Sequence, residues 1–223
     1  MPGRQLRKFA SRVLRKRHDR LLNRAADPAA LEVFEKSVRP VLVEKSPNNL
    51  LMGRFLQSLY PGARLIVVMR HPVVVALAMA KWDPLVVTRR GRRRVGFEGY
   101  IRHWIRAHEI LASDAPHLDH LLVLRYEHLV ADPVTELERV RAFLDLDGPI
   151  PAGRISGGRS GGYEAQWQQM RTGHALARRR RRRVEERYGD AIRSFGYDLD
   201  TLGVIPAREG SGPGVFHEAR GLS

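Results

Sequence analysis

The chain has 223 residues, 43% of them hydrophobic, enough for one sizeable core, and its net charge of +15 with a pI near 11.1 points to an anionic partner. It contains no cysteine, which excludes disulfides, thiolate metal sites and a cysteine nucleophile. Its apolar runs, such as 65–69 and 73–80, fall far below the ~20 residues that span a bilayer, and the N-terminus is too basic for a signal peptide's apolar segment, so a soluble cytoplasmic protein is expected.

Residues 4–24 read as a basic helix, with nine Lys or Arg against Asp19 and a sparse stripe of Leu6, Phe9, Val13 and Leu21. Asp27 and Pro28 suit the N-cap and first position of a second helix, which Pro40 closes. A strand at 41–44 and a helix at 48–59, stopped by Pro61-Gly62, follow. The apolar run 65–69 predicts a strand, and the spacing from Pro72 to Trp82 a helix.

After an Arg-rich loop containing five arginines between Arg89 and Arg94, a helix is expected over 97–111, then a strand in "HLLVLRYE" at 120–127. Asp132-Pro133 repeats the capping logic of Asp27-Pro28, with Leu137, Val140 and Leu144 on the inner face of the helix it starts. Residues 148–162 are rich enough in Gly, Pro and Ser to read as loop, and a last helix spans roughly 166–188 around the six arginines Arg178 to Arg183. Strands alternating with helices imply a parallel sheet and an α/β fold. The expected organisation is a basic helical segment at 1–39, an α/β domain at 40–200 and a flexible tail at 201–223.

All three expected strands finish on polar residues: Glu44-Lys45-Ser46, Arg70, and Arg125-Tyr126-Glu127. In a parallel sheet such ends line one edge, so Lys45, Arg70 and Arg125 could converge on one anionic ligand. The other reading of Arg125 and Glu127 is that they pair with neighbours to hold a loop. The arginine clusters read equally as solvated faces.

The combination of an E-K-[ST]-P strand end, a strand ending in R-x-P about 25 residues later, and an L-R-Y-E strand resembles the sulfotransferases that use 3′-phosphoadenylyl sulfate (PAPS), particularly a bacterial branch. "HWIRAHE" and "FGYDL" add to the likeness, which is close over 40–147 and loose over 163–199. The resemblance implies a P-loop-like three-layer α/β fold with a parallel sheet. It assigns the 3′-phosphate of the nucleotide to Arg70. The family shares that phosphate with a Ser eight residues on, where this chain has Ala78. It gives Lys45 the task of stabilising the departing phosphate and the transferring sulfuryl group. Where part of the family places a His two residues beyond that lysine as general base, this chain has Pro47, so Glu32 and Glu35 are the candidate bases, ahead of His103 and His108. The implied acceptor is a hydroxyl of a small molecule or carbohydrate, and no metal is implied.

The family opens with a strand and a P-[RK]-[ST]-G-T-T loop that cradles the 5′-phosphosulfate, and no such motif stands in residues 1–40. "GRISGGRSGG" at 153–162 has a similar composition but no strand leading into it. The expectation is therefore a sheet without its first central strand, in a chain that is truncated, begun at the wrong start, or degenerate, and inactive as it stands. The alternatives are a noncatalytic nucleotide- or polyanion-binding remnant and a nucleic-acid-binding protein. Against the latter, no aromatic residues interleave with the arginine clusters as stacking platforms.

Overall fold

The structure, a computed structural model, describes residues 43–82, 96–153, 155 and 160–205. The helices expected at 4–24 and 28–39 lie outside the described residues. The chain divides into two compact units, Met1–Pro61 and Gly62–Ser223.

In the first unit, residues 43–46 carry no regular structure and Val43 is exposed, so the strand expected at 41–44 is not formed at 43 and 44. Residues 41 and 42 lie outside the described residues. The backbone at Ser46, the residue before Pro47, is extended (φ −144°, ψ 132°). Apolar, β-branched sequence favours extended backbone, but pairing into a sheet is a tertiary event that composition cannot supply. The helix expected at 48–59 is split into a 3-10 turn, Pro47–Leu51, and α1, Gly53–Leu59, with Met52 at φ −138°, ψ 16° between them. Asn48, Asn49 and Gly53 are weak helix formers, and the interruption falls among them.

The second unit is built on β1 (Leu65–Met69) and β2 (Leu121–Arg125). The two are parallel and in register from Leu65↔Leu121 to Met69↔Arg125. α2 (Pro72–Trp82) and α3 (Gly96–Asp114) stand between them in the chain, as a parallel connection requires. The fold is thus α/β with a parallel sheet, which has two strands among the described residues. β1 is the less covered: Ile66 is 37% and Val68 53% exposed, whereas their register partners Leu122 and Leu124 are buried on the same face.

β2 stops at Arg125, and Tyr126 and Glu127, expected at the end of the strand, instead open the short helix α4 (Tyr126–Ala131). α5 (Pro133–Leu144) starts as expected, the Asp132 side chain accepting the Thr135 N–H at 3.1 Å. Its inner face differs from expectation: Leu137, Val140 and Leu144 are only half-buried, while Glu136 is buried and ion-paired to Arg139 at 2.7 Å. The long C-terminal helix is two helices, α6 (Ser160–Thr172) and α7 (Ala175–Ser194), so the expected loop ends before Ser160. The chain closes tightly at the break, and only glycine fits there: a Cβ at Gly173 would lie 2.8 Å from the Gln169 carbonyl oxygen. His174 then caps α7, its Nδ1 accepting the Ala177 N–H at 3.3 Å.

α3 packs on α2 and α7, and α6 packs on α2 and α7. Phe97, Ile101, Trp104, His108 and Leu111 turn inward at helical spacing along α3, and Trp167, Val184 and Ile192 meet them from the C-terminal pair. Beyond α7 the chain folds back: Tyr197 bridges antiparallel to Val204, and Leu202 is buried. Packing therefore continues past residue 200, into the stretch expected to be a flexible tail, and 206–223 lie outside the described residues.

Candidate functional site

Parallel, in-register strands deliver their following residues side by side. Met69 is level with Arg125, so Arg70 comes out beside Tyr126. The Arg70 guanidinium carbon lies 4.2 Å from the centre of the Tyr126 ring, with the Tyr163 ring of α6 at 6.0 Å. A cation held over a ring face is attracted by the ring's quadrupole, by about 0.5 to 1 kcal/mol at a partly exposed site. Arg70 is half-buried, with a planar side chain laid against an aromatic face.

The next residue turns the other way. His71 is fully buried, and its Nδ1 accepts the Val73 N–H at 3.2 Å, so the ring serves as the N-cap of α2 ahead of Pro72. Nε2 then donates to the Asp198 carbonyl at 3.0 Å. Burial lowers the His71 pKa from 6.5 to about 4, against the opposing pull of the Asp198 carbonyl, so the ring is neutral at pH 7. The His71 main-chain N–H donates to Glu127 Oε1 at 2.9 Å. Of the first groups of α2, the Val73 N–H is thus engaged and Pro72 has no N–H to offer.

Glu127 also faces the C-terminal segment, the Tyr197 hydroxyl donating to its Oε2 at 3.3 Å. Burial, and then the Glu127 charge, raise the Tyr197 pKa, so the phenol keeps its proton. Arg125 is buried, donating to the Phe195 carbonyl at 2.9 Å with its guanidinium carbon 4.7 Å from the Tyr197 ring centre. Of the two readings open for Arg125 and Glu127, the geometry is that of a clasp on the C-terminal segment. His108 belongs to the same interior, stacked on Trp104 at 3.8 Å and donating from Nδ1 to the Trp104 carbonyl at 2.8 Å. Burial first, and the Arg125 charge among the lesser causes, lower its pKa to about 4.

The sequence-derived site residues are thus distributed as follows. Arg70, Ala78 and Arg125 lie in the second unit, with Arg70 over Tyr126, Ala78 half-buried about two turns into α2, and Arg125 inside. Lys45 is exposed in the first unit. Glu32 and Glu35 lie outside the described residues. His103 is exposed on α3 and His108 is buried. Among the described residues no group of three or more His, Asp or Glu is placed to hold a metal, and no helix is long and apolar enough to cross a membrane. Sequence reasoning gave no role to Tyr126, His71 or Tyr197. The second had a signal, since His-Pro before an apolar helical run marks a cap.

Residues 5–149, more than half of the chain, match the sulfotransferase family. The motifs place the likeness at 40–147, and the match extends it back to Gln5, into the segment set apart as basic and helical. No curated protein and no solved structure matches the chain.

Proposed function

The chain belongs to the sulfotransferase family, and from that premise we propose that it binds PAPS and serves transfer of its sulfuryl group to a hydroxyl of a carbohydrate or small molecule. Arg70 holds the 3′-phosphate. The observation that carries this is the Arg70 guanidinium at the end of β1, laid on Tyr126 beside a helix N-terminus whose first groups are already engaged. A guanidinium offers paired N–H donors that match phosphate oxygens, and one pre-ordered by an aromatic face loses less entropy on binding.

Lys45 is the cation for the growing charge on the bridging oxygen as the acceptor attacks sulfur in line. Glu32 and Glu35 remain the candidate bases. His108 is set aside, because its ring is enclosed against Trp104 and one nitrogen is bound to a carbonyl. Arg125 serves the fold rather than the phosphate.

Turnover also needs a cradle for the 5′-phosphosulfate, since orientation of the reacting groups can be worth ~7 to 11 kcal/mol of barrier. No P-[RK]-[ST]-G-T-T run occurs in the 223 residues. The reading therefore separates binding from turnover: the 223 residues bind adenosine 3′,5′-bisphosphate, and PAPS-dependent transfer by them alone is negligible. Calorimetry should show binding that Arg70→Ala weakens at least tenfold. Equal affinity in the two proteins would overturn the assignment and leave the basic clusters to explain any binding. Steep loss of that binding with salt, without preference for the nucleotide, would favour the polyanion-binding alternative.

A further inference from the structure

The Glu127 carboxylate reaches in two directions. Oε1 accepts the His71 main-chain N–H at 2.9 Å, and Oε2 accepts the Tyr197 hydroxyl at 3.3 Å. The first bond spans 56 residues and fastens the turn at which the chain leaves β1 for α2, one residue after Arg70. The second ties the same carboxylate to the segment beyond α7, which Arg125 grips through the Phe195 carbonyl and the His71 ring holds through the Asp198 carbonyl. The rings of His71 and Tyr197 meet edge to face at 5.1 Å, so the turn is packed from behind as well as bonded.

We propose that Glu127 is a positioning residue for Arg70: by fixing the His71 N–H, and through Tyr197 the C-terminal segment, it sets the direction in which Arg70 leaves the strand and lies on Tyr126. The proposal rests on the reading of Arg70 as the phosphate-binding residue for its functional consequence, though not for its structural content. The shorter bond carries most of the effect. A charge-assisted bond to a main-chain N–H is among the stronger kinds, whereas 3.3 Å is long for a hydroxyl donor. The carboxylate also sits at the N-terminal pole of α2, where negative charge is favoured. Its charge works against an incoming phosphate, however, so an electrostatic role in binding and a positioning role predict opposite effects of neutralising it.

The test uses the full chain with Glu127→Ala, Glu127→Gln and Arg70→Ala. The Arg70 side-chain NMR resonances report its seat directly, because the Tyr126 ring beneath it displaces them. In Glu127→Ala they should move towards free-arginine positions. In Glu127→Gln, whose amide oxygen still accepts the His71 N–H and whose NH₂ meets the Tyr197 oxygen, they should stay. Adenosine 3′,5′-bisphosphate should bind Glu127→Ala about tenfold more weakly than wild type, and Glu127→Gln as tightly or more so.

Unmoved Arg70 resonances in Glu127→Ala would overturn the proposal, as would a Glu127→Gln protein that behaves like Glu127→Ala. If wild type and Arg70→Ala bind the nucleotide alike, the phosphate assignment fails, and the NMR arm still decides whether Glu127 sets the Arg70 seat. Should Glu127→Ala not fold, Glu127→Asp, one methylene short of the His71 N–H, replaces it with the same expected movement.

Discussion

At the ends of β1 and β2 two arginines stand nearly level, and on α7 six stand in a row, and in both regions the guanidinium that goes inside is matched by the same two partners. Arg125 donates to the Phe195 carbonyl at 2.9 Å over the Tyr197 ring. Arg181 donates to the Trp167 carbonyl at 2.8 Å with its guanidinium carbon 4.6 Å from the Trp167 ring centre, and its Nε meets Glu185 at 2.7 Å. Arg70 has a ring beneath it but keeps part of its surface, and Arg179 and Arg180 are exposed. Residue type therefore decides little. An arginine is drawn in where its face of the element carries apolar neighbours and a carbonyl waits below, as Arg181 does in line with Val184 and Ile192. Arg179 and Arg180 stay on the surface, where they can act on an anion.

The largest expected effect tests whether the strand-end interior is as closed as the seat of Arg70 is open. His71 and His108 take a proton at about pH 4 in the folded protein and at 6.5 when unfolded. Between those values the unfolded chain binds more protons, so stability falls as pH falls, and the slope dies away as pH rises past about 7.5. From pH 7.5 to 5.0 the loss should be about 4 kcal/mol for both rings together. Urea unfolding at the two pH values measures it, and His71→Asn, which keeps a capping side chain, should flatten the slope. Unchanged midpoints would mean that the interior admits charge and that the contrast between the two regions is false.

Next in size is the contrast within α7. Arg181→Ala strands the Trp167 carbonyl and the Glu185 carboxylate and should cost roughly 3 kcal/mol. Arg179→Ala should stay within about 0.5 kcal/mol. Arg125→Ala removes the bond to the Phe195 carbonyl and the contact with the Tyr197 ring and should cost about 2 kcal/mol. If Arg125→Ala removed nucleotide binding while leaving the melting temperature unchanged, Arg125 would belong with Arg70 after all.

These contrasts also mark how far the sequence could be read. β1, α2 and the Asp132-capped start of α5 are written in local signals: an apolar run and a Pro after a capping residue. The family likeness rests on short motifs of the same local kind. What gives Arg70 and Arg125 their different surroundings is long-range. The pairing Leu65↔Leu121 and the return of Tyr197 to Glu127 join residues with no periodic relation, and "VMR" and "VLR" look alike until those contacts form. The absence of a sheet partner at 43 and 44 was not legible either. The split of the C-terminal helix falls at Gly173, whose close approach to the Gln169 carbonyl oxygen is visible only once the helix is built.

The smallest expected effect bears on the open side of the comparison. Ala78 lies half-buried on α2, eight residues after Arg70, where the family places a Ser. Ala78→Ser adds one hydroxyl. In the helix itself Ser is slightly less favourable than Ala, by about 0.5 kcal/mol, so the melting temperature should drop a little. If the helix face at 78 looks towards the phosphate held by Arg70, the hydroxyl gains a bond worth roughly 0.5 to 1.5 kcal/mol, a two- to tenfold gain in adenosine 3′,5′-bisphosphate affinity. Stability and affinity then change in opposite directions, which neither a packing effect nor a general change in charge would produce. Calorimetry and thermal melting on the same preparation read both. Loss of stability without any gain in affinity would place position 78 with the core and confine the nucleotide's 3′ end to Arg70 and its aromatic support.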